Sequence, residues 1–357
     1  MSDLPHLASR VFGTPLLIAR AKLEVILGVL APRLAGGTLE PLDPEADRPP
    51  LTSVTVEKIA VVSVIGTLVS RSGYLDAASG LQAYGDIADA IAVAMDDASV
   101  RGVILDVDSP GGEVGGLFDL VEQIQAIRNL SAKPLWAVAN ESALSAAYAI
   151  ASAADRLYVT RTGEVGSIGV VAVHIDESGA DAKAGLAWTF VFAGERKIDG
   201  NAHEPLSERA RATIQADVDR LYGEFCVLVA ANRGLSPDAV RGTDAAIYRG
   251  TLAVRAGLAD RLGTLDLAIA EMAAELDRAA PARAPVNPTL KRSLSMATTE
   301  TEQIDDQPKH PQQSIPPAPV PAEASPDPAP PAAAAGPAPD ASTAEKLRAE
   351  FAEIAAI

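Results

Sequence analysis

Between residues 56 and 277, short unbroken apolar runs alternate with longer stretches of helical period, and few folds accommodate that order. The runs "KIAVVSVIGTLV", "RGVILDVDS", "PLWAVAN", "DRLYVTR" and "AWTFVFAG" lack the in–out alternation of a half-exposed sheet. They predict strands covered on both faces, as in parallel sheets flanked by helices. Between them, "GLQAYGDIADAIAVAMDD", "GGLFDLVEQIQAIRNL" and "LSERARATIQADVDRLYGEFCVLVAANRG" carry apolar residues at helical spacing. The small-residue run after Asn140, rich in Ala around Ser145, predicts one more helix. An α/β architecture follows. With 48% apolar residues but only 4% aromatic ones, its core must be built from Ala, Val, Leu and Ile.

The flanks differ in composition. Residues 1–55 predict a helical arm: "TPLLIARAKLEVILGVLAPRLAGG" is apolar but interrupted by Arg20, Lys22 and Glu24. That is too broken for a membrane span of about 20 apolar residues, and it lacks the layout of a secretory signal. Residues 278–340 read as a disordered linker, with 12 of the 26 prolines lying between Pro308 and Pro339. Residues 341–357 predict a short helix capped by Ser342 with Glu345 three residues on. The net charge is −17, and from Met296 onward ten acidic residues face three basic ones, a surplus of seven. Such a balance argues against a nucleic-acid surface. The single cysteine, Cys226, rules out an internal disulfide and fits a reducing compartment.

Two strand ends carry chemistry. "LDVDSPGGEV" closes a strand on Asp108-Ser109-Pro110-Gly111-Gly112, where glycines permit positive φ and leave N–H groups to face an anion. If the strand ending in "VANESALS" is its neighbour, Ser145 opens a helix beside that turn. The N–H of Ala146 then lies at the helix N-terminus. Ser142 reads as a helix cap and Ser152 as a packed hydroxyl. A nucleophilic serine needs a base. With His6 and His310 in arm and linker, His174 and His203 stand for a Ser-His-Asp arrangement. Lys197, after the apolar run at 187–194, stands for a lysine base, which works only when neutral, a state that desolvation favours.

Taken together, "DVDSPGG", "NESALSAAYAIASAADRLYVTRTGEVGSIGVV", "AGERKIDGN" and "YRGTLAVRAGLADRLG" resemble the signal peptide peptidase A (protease IV) family of serine peptidases. The likeness is greatest to its tailed-bacteriophage branch, the prohead or head maturation proteases, and runs from about Lys58 to Gly263. It implies a Clp protease/crotonase-like spiral of ββα units that assembles into rings. It also implies Ser145 as nucleophile, Lys197 as general base 52 residues later, and an oxyanion hole from the N–H groups of Gly112 and Ala146. Gly111 and the segment Gly166, Ser167, Ile168 and Gly169 would line the substrate cleft. No metal or cofactor is implied. Ala146 and Ala147 stand where many members have Gly-Gly, and the membrane anchor of the cellular enzymes is missing.

The task implied is cleavage of capsid, scaffold or portal proteins inside a procapsid in the host bacterial cytoplasm. The acidic tail after Met296 would be scaffold-like, and self-cleavage would fall between about residues 278 and 300. Two other functions compete: a crotonase-type acyl-CoA enzyme on the same fold, and a catalytically inert assembly protein.

Overall fold

Residue 11 and residues 15–20, 22–24, 26–27, 50–71 and 81–279 are described in the computed structural model. All lie in a unit spanning residues 1–286; a second unit, residues 287–357, lies outside them, as do nearly all of the predicted linker, the terminal helix and Met296.

The apolar runs become strands. The elements in order are β1 (Leu16–Ile18), β2 (Thr52–Val54), β3 (Ile59–Ile65), β4 (Thr67–Val69), β5 (Leu81–Ala83), α1 (Tyr84–Asp96), β6 (Gly102–Ser109), β7 (Gly111–Glu113) and α2 (Leu117–Leu130). There follow β8 (Leu135–Leu144), α3 (Ala146–Ser152), β9 (Arg156–Val159), β10 (Glu164–Gly166), α4 (Ser178–Ala184), α5 (Glu208–Arg233) and α6 (Pro237–Arg241). The series closes with β11 (Ile247–Arg249), α7 (Thr251–Arg255), β12 (Arg261–Leu262) and α8 (Leu265–Ala279).

Strands β3, β6 and β8 lie parallel at the centre of a large sheet ordered β11-β10-β8-β6-β3-β2, with β9 and β12 branching from β8. A small sheet is ordered β1-β7-β4-β5. Two successive units share one plan: β3 and β6 enter the large sheet, their short partners β4 and β7 enter the small one, and α1 and α2 follow. This is the ββα repeat that the resemblance implies, in a mixed α/β fold.

Alternation along the central strands divides their side chains between two layers. Val103, Leu105 and Val107 of β6 join the main core with Ile87 and Ile91 of α1, Val121 and Ile124 of α2, and Phe225 and Val229 of α5. Ile104 points the other way, into a second cluster with Ile59, Trp136, Val138 and Tyr158, and Ala268 and Met272 of α8 cover it. With both faces covered, the strands need no polar alternation. All seven residues of α3 are buried, and its alanines let the helix approach β8 and β7 closely.

Three expectations need correction. The arm is not purely helical: Leu16–Ile18 forms a strand, with residues 22–24 helical after it, and β2 lies before residue 55. The run at 187–194 forms no strand, and Trp188, Val191 and Phe192 are exposed, because no sheet edge receives them. Finally β8 runs on to Leu144, so Ser142 is a strand residue and its hydroxyl donates to Asp108 (2.8 Å) instead of capping a helix.

Candidate active site

Ser145 stands alone between β8 and α3, at φ 55° and ψ −118°. For a residue with a Cβ this is a sparsely populated conformation costing about 1–3 kcal/mol, held only where the surroundings enforce it. They do so at both ends: Ser145 N–H donates to Gly166 C=O (2.8 Å), and Ser145 C=O accepts from Ala149 N–H (3.0 Å). The residue is 1% exposed, and its Oγ is buried without a hydrogen-bond partner. The other buried serines are satisfied: Ser152 Oγ donates to Ala149 C=O (2.7 Å), and Ser109 Oγ donates to Gly66 C=O (2.7 Å).

The glycine turn lies against Ser145. Gly111 has φ 100°, and a Cβ there would sit 2.9 Å from Ser145 Cβ and 3.0 Å from Ala146 N, besides colliding with the Leu17 carbonyl. Only glycine allows this approach. A Cβ at Gly112 would instead strike the backbone of Leu68 in β4. Ser109 steadies the turn, its Oγ accepting from Gly111 N–H at 3.2 Å. Gly111 is therefore brought against Ser145 and Ala146, while Gly112, next along β7, packs on β4.

Gly166–Gly169 forms the wall beyond. Gly166 takes φ 108° and Ser167 φ 52°, Ser167 N–H donates to Ala246 C=O (3.0 Å), and Ile168 is fully buried. Behind it stand Asp244 and Ala245, themselves at positive φ, and a Cβ on Gly169 would press on Ala245. No pattern in the sequence signals that Asp244 and Ala245 are strained.

The candidate bases are placed differently. Lys197 is exposed in a turn where its N–H donates to Gly194 C=O (2.9 Å), and no hydrogen bond joins it to Ser145. His174 Nε2 lies 3.0 Å from the Asn201 carbonyl. His203 Nδ1 lies 2.8 Å from Asp181 Oδ2, and its ring stacks on Trp188 at 4.0 Å. Neither histidine is bonded to Ser145. Next to the lysine turn, Asp199 pairs with Arg209 through one oxygen (2.7 Å), while its other oxygen is buried without a partner. Sequence reasoning missed the Asp181–His203–Trp188 cluster, since its members come from separate segments.

Comparison with known proteins adds to this geometry. The model of peptidase family S49 matches residues 128–278. The head-tail preconnector protein GP5 of Enterobacteria phage P21 is 37% identical over 293 residues, covering 77% of this chain and 58% of that protein. Capsid assembly protease C of Escherichia phage lambda is 37% identical over 296 residues, covering 78% of this chain and 67% of that protein. A putative signal peptide peptidase SppA of Enterococcus faecium is 32% identical, covering 47% of this chain and 49% of that protein. The chain thus spans 58% of the phage P21 relative's length. Among solved structures, a point mutant of ClpP1 from Listeria monocytogenes overlays at a TM-score of 0.36 and 11% identity, covering 60% of this chain and 95% of that one.

Proposed function

The chain belongs to peptidase family S49, and from that premise we propose that it is a serine endopeptidase of phage head maturation with Ser145 as its nucleophile. The observation that carries the reading is the Ser145 hydroxyl: buried, unpartnered, held at positive φ, and set against Gly111 and the N–H of Ala146. A purely structural serine would relax toward a partner, as Ser109 and Ser152 do.

In the reaction, neutral Lys197 takes the Ser145 proton as Oγ attacks the scissile carbonyl. The N–H groups of Ala146 and Gly112 receive the negative charge, with Gly111 giving the close approach. Protonated Lys197 then gives that proton to the leaving amine as the C–N bond breaks, and water, deprotonated by Lys197, attacks the acyl-enzyme and frees the Ser145 hydroxyl. Lys197 lies in an exposed turn, and the apolar residues leading to it, Trp188, Val191 and Phe192, are exposed as well. Assembly of copies into a ring would cover this segment and bring a lysine to Ser145. Capsid, scaffold and portal proteins are the proposed substrates, within the procapsid in the host bacterial cytoplasm. The chain's own segment between about residues 278 and 300 is a further one. No helix among the described residues is long and apolar enough to cross a membrane.

Labelling with a fluorophosphonate, with the modified residue located by mass spectrometry, tests this reading. Wild type should label at Ser145 and shorten on standing, while Ser145→Ala and Lys197→Ala stay full length and lose about 10⁴-fold or more in cleavage rate. Wild type that neither labels nor shortens would favour an acyl-CoA enzyme or an inert assembly protein, and cleavage surviving in Ser145→Ala would place the nucleophile elsewhere. Loss in His174→Ala with full activity in Lys197→Ala would move the base to histidine.

A further inference from the structure

Strand β1 lies between the two walls of the site. On one side it runs antiparallel to β7, with Leu17 opposite Gly112 and Ile18 opposite Gly111. Ala19 N–H donates to Pro110 C=O (2.7 Å) on that edge. Hydrogen-bonded pairs alternate along an antiparallel ladder, so Leu17 and Gly112 form the next one: the Leu17 carbonyl accepts from Gly112 N–H, and that donor is open to an oxyanion only when β1 has left. On the other side Leu16 exchanges two hydrogen bonds with Val171, N–H to C=O at 2.8 Å and C=O from N–H at 2.9 Å. Val171 continues directly from Gly166–Gly169.

The side chains follow the same division. Leu17 is fully buried in the main core, whereas Leu16 and Ile18 join Leu23 in a satellite cluster against Val171 and Val173. The Leu17 carbonyl crowds the Cα of Gly111, the residue that touches Ser145 and Ala146. A three-residue strand hydrogen-bonded along both edges, with one carbonyl at an anion-binding turn, is how a cleft accepts an extended peptide by strand addition.

We infer that Leu16–Ile18 is a resident occupant of the peptide groove, holding the place of substrate until it is displaced. The inference rests on the peptidase reading and deepens it. The groove favours an extended apolar segment of Leu-Leu-Ile type, and an incoming substrate competes with β1 for the edges at Gly111–Glu113 and Val171. Ser145 is then sealed while β1 is in place, in keeping with its 1% exposure.

Two variants of the full chain release the strand by different means. Leu17→Asp puts a charge where the strand is buried, and Ala19→Pro removes the N–H that bonds Pro110. Hydrogen exchange at residues 111–113 and 169–173 is followed with and without a synthetic peptide of residues 14–22, TPLLIARAK. Fluorophosphonate labelling is measured in parallel. Both segments should exchange faster in each folded variant and be protected again by the peptide. Ser145 should label about 10-fold faster or more, as expected if the open state is ~10% populated or less in wild type. Should Leu17→Asp fail to fold, Ala19→Pro alone decides. Unchanged exchange in a folded variant, or wild-type labelling as fast as the variant's, overturns the inference and leaves the peptidase reading standing. Exchange and reprotection as expected, with no labelling in any form, would keep the occupied groove and overturn the peptidase.

Discussion

Burying a hydroxyl with no partner costs about 1–3 kcal/mol, and at Ser145 that cost adds to a positive φ. Replacing the residue by alanine removes the unpaired group and keeps the backbone. Ser145→Ala should therefore be more stable than wild type by about 1 kcal/mol, or roughly 2–4 °C in melting temperature for a domain of this size. Differential scanning calorimetry of the two proteins would show it. A lower melting temperature would mean that the hydroxyl has a partner after all. At this scale much is legible: a serine after an apolar strand and a Pro-Gly-Gly turn are local signals. Which glycine meets the serine is not. That depends on β4, whose Leu68 claims the space at Gly112 and leaves Gly111 against Ser145 and Ala146. Ser142 misleads because a short apolar run of small residues looks alike as strand end and helix start.

The elements show where local pattern is overruled. Leu16–Ile18 sits in a segment with helical spacing, yet two unpaired backbone edges draw it into a strand. The run at 187–194 has strand composition but no edge to join. Chain-distant pairing also ties α5 to the stretch before β12. Arg233, 6% exposed, holds Asp260 through two hydrogen bonds of 2.7 and 2.9 Å, and Asp260 also accepts from Leu157 N–H at 2.7 Å. Burial pushes the Asp260 carboxyl up, but the bonds from Arg233 and Leu157 outweigh it and hold it below the ordinary range. A carboxyl depressed on folding stabilises the protein above its unfolded pKa of roughly 3.9, and that share is lost as pH falls through the folded value. Asp260→Asn should cost about 1–2 kcal/mol at pH 7, less than a fully buried pair because the Asp260 side chain is 37% exposed. The deficit should shrink as pH falls from the unfolded pKa through the folded one. Urea melts at pH 7 and pH 3 would measure both, and an equal deficit at the two would refute the electrostatic account.

For the whole molecule, the order of strands and helices carries the architecture, while the surface is less predictable. Trp188, Val191 and Phe192 have the pattern of a covered strand and instead stand 53%, 97% and 47% exposed. If this stretch is the seam between copies, Val191→Asp should shift the sedimentation profile toward the single chain and lower cleavage while the melting temperature changes little. Unchanged sedimentation would place the seam elsewhere.

Helix α8 covers the second face of the large sheet with its own residues, Ala268 and Met272 at the centre, and Met272 reaches Gly102 at the start of β6. Every described residue of that second core lies at or before Leu276, upstream of the acidic, proline-rich sequence. A cut in the proposed stretch between about residues 278 and 300 would remove none of the described residues that build this core.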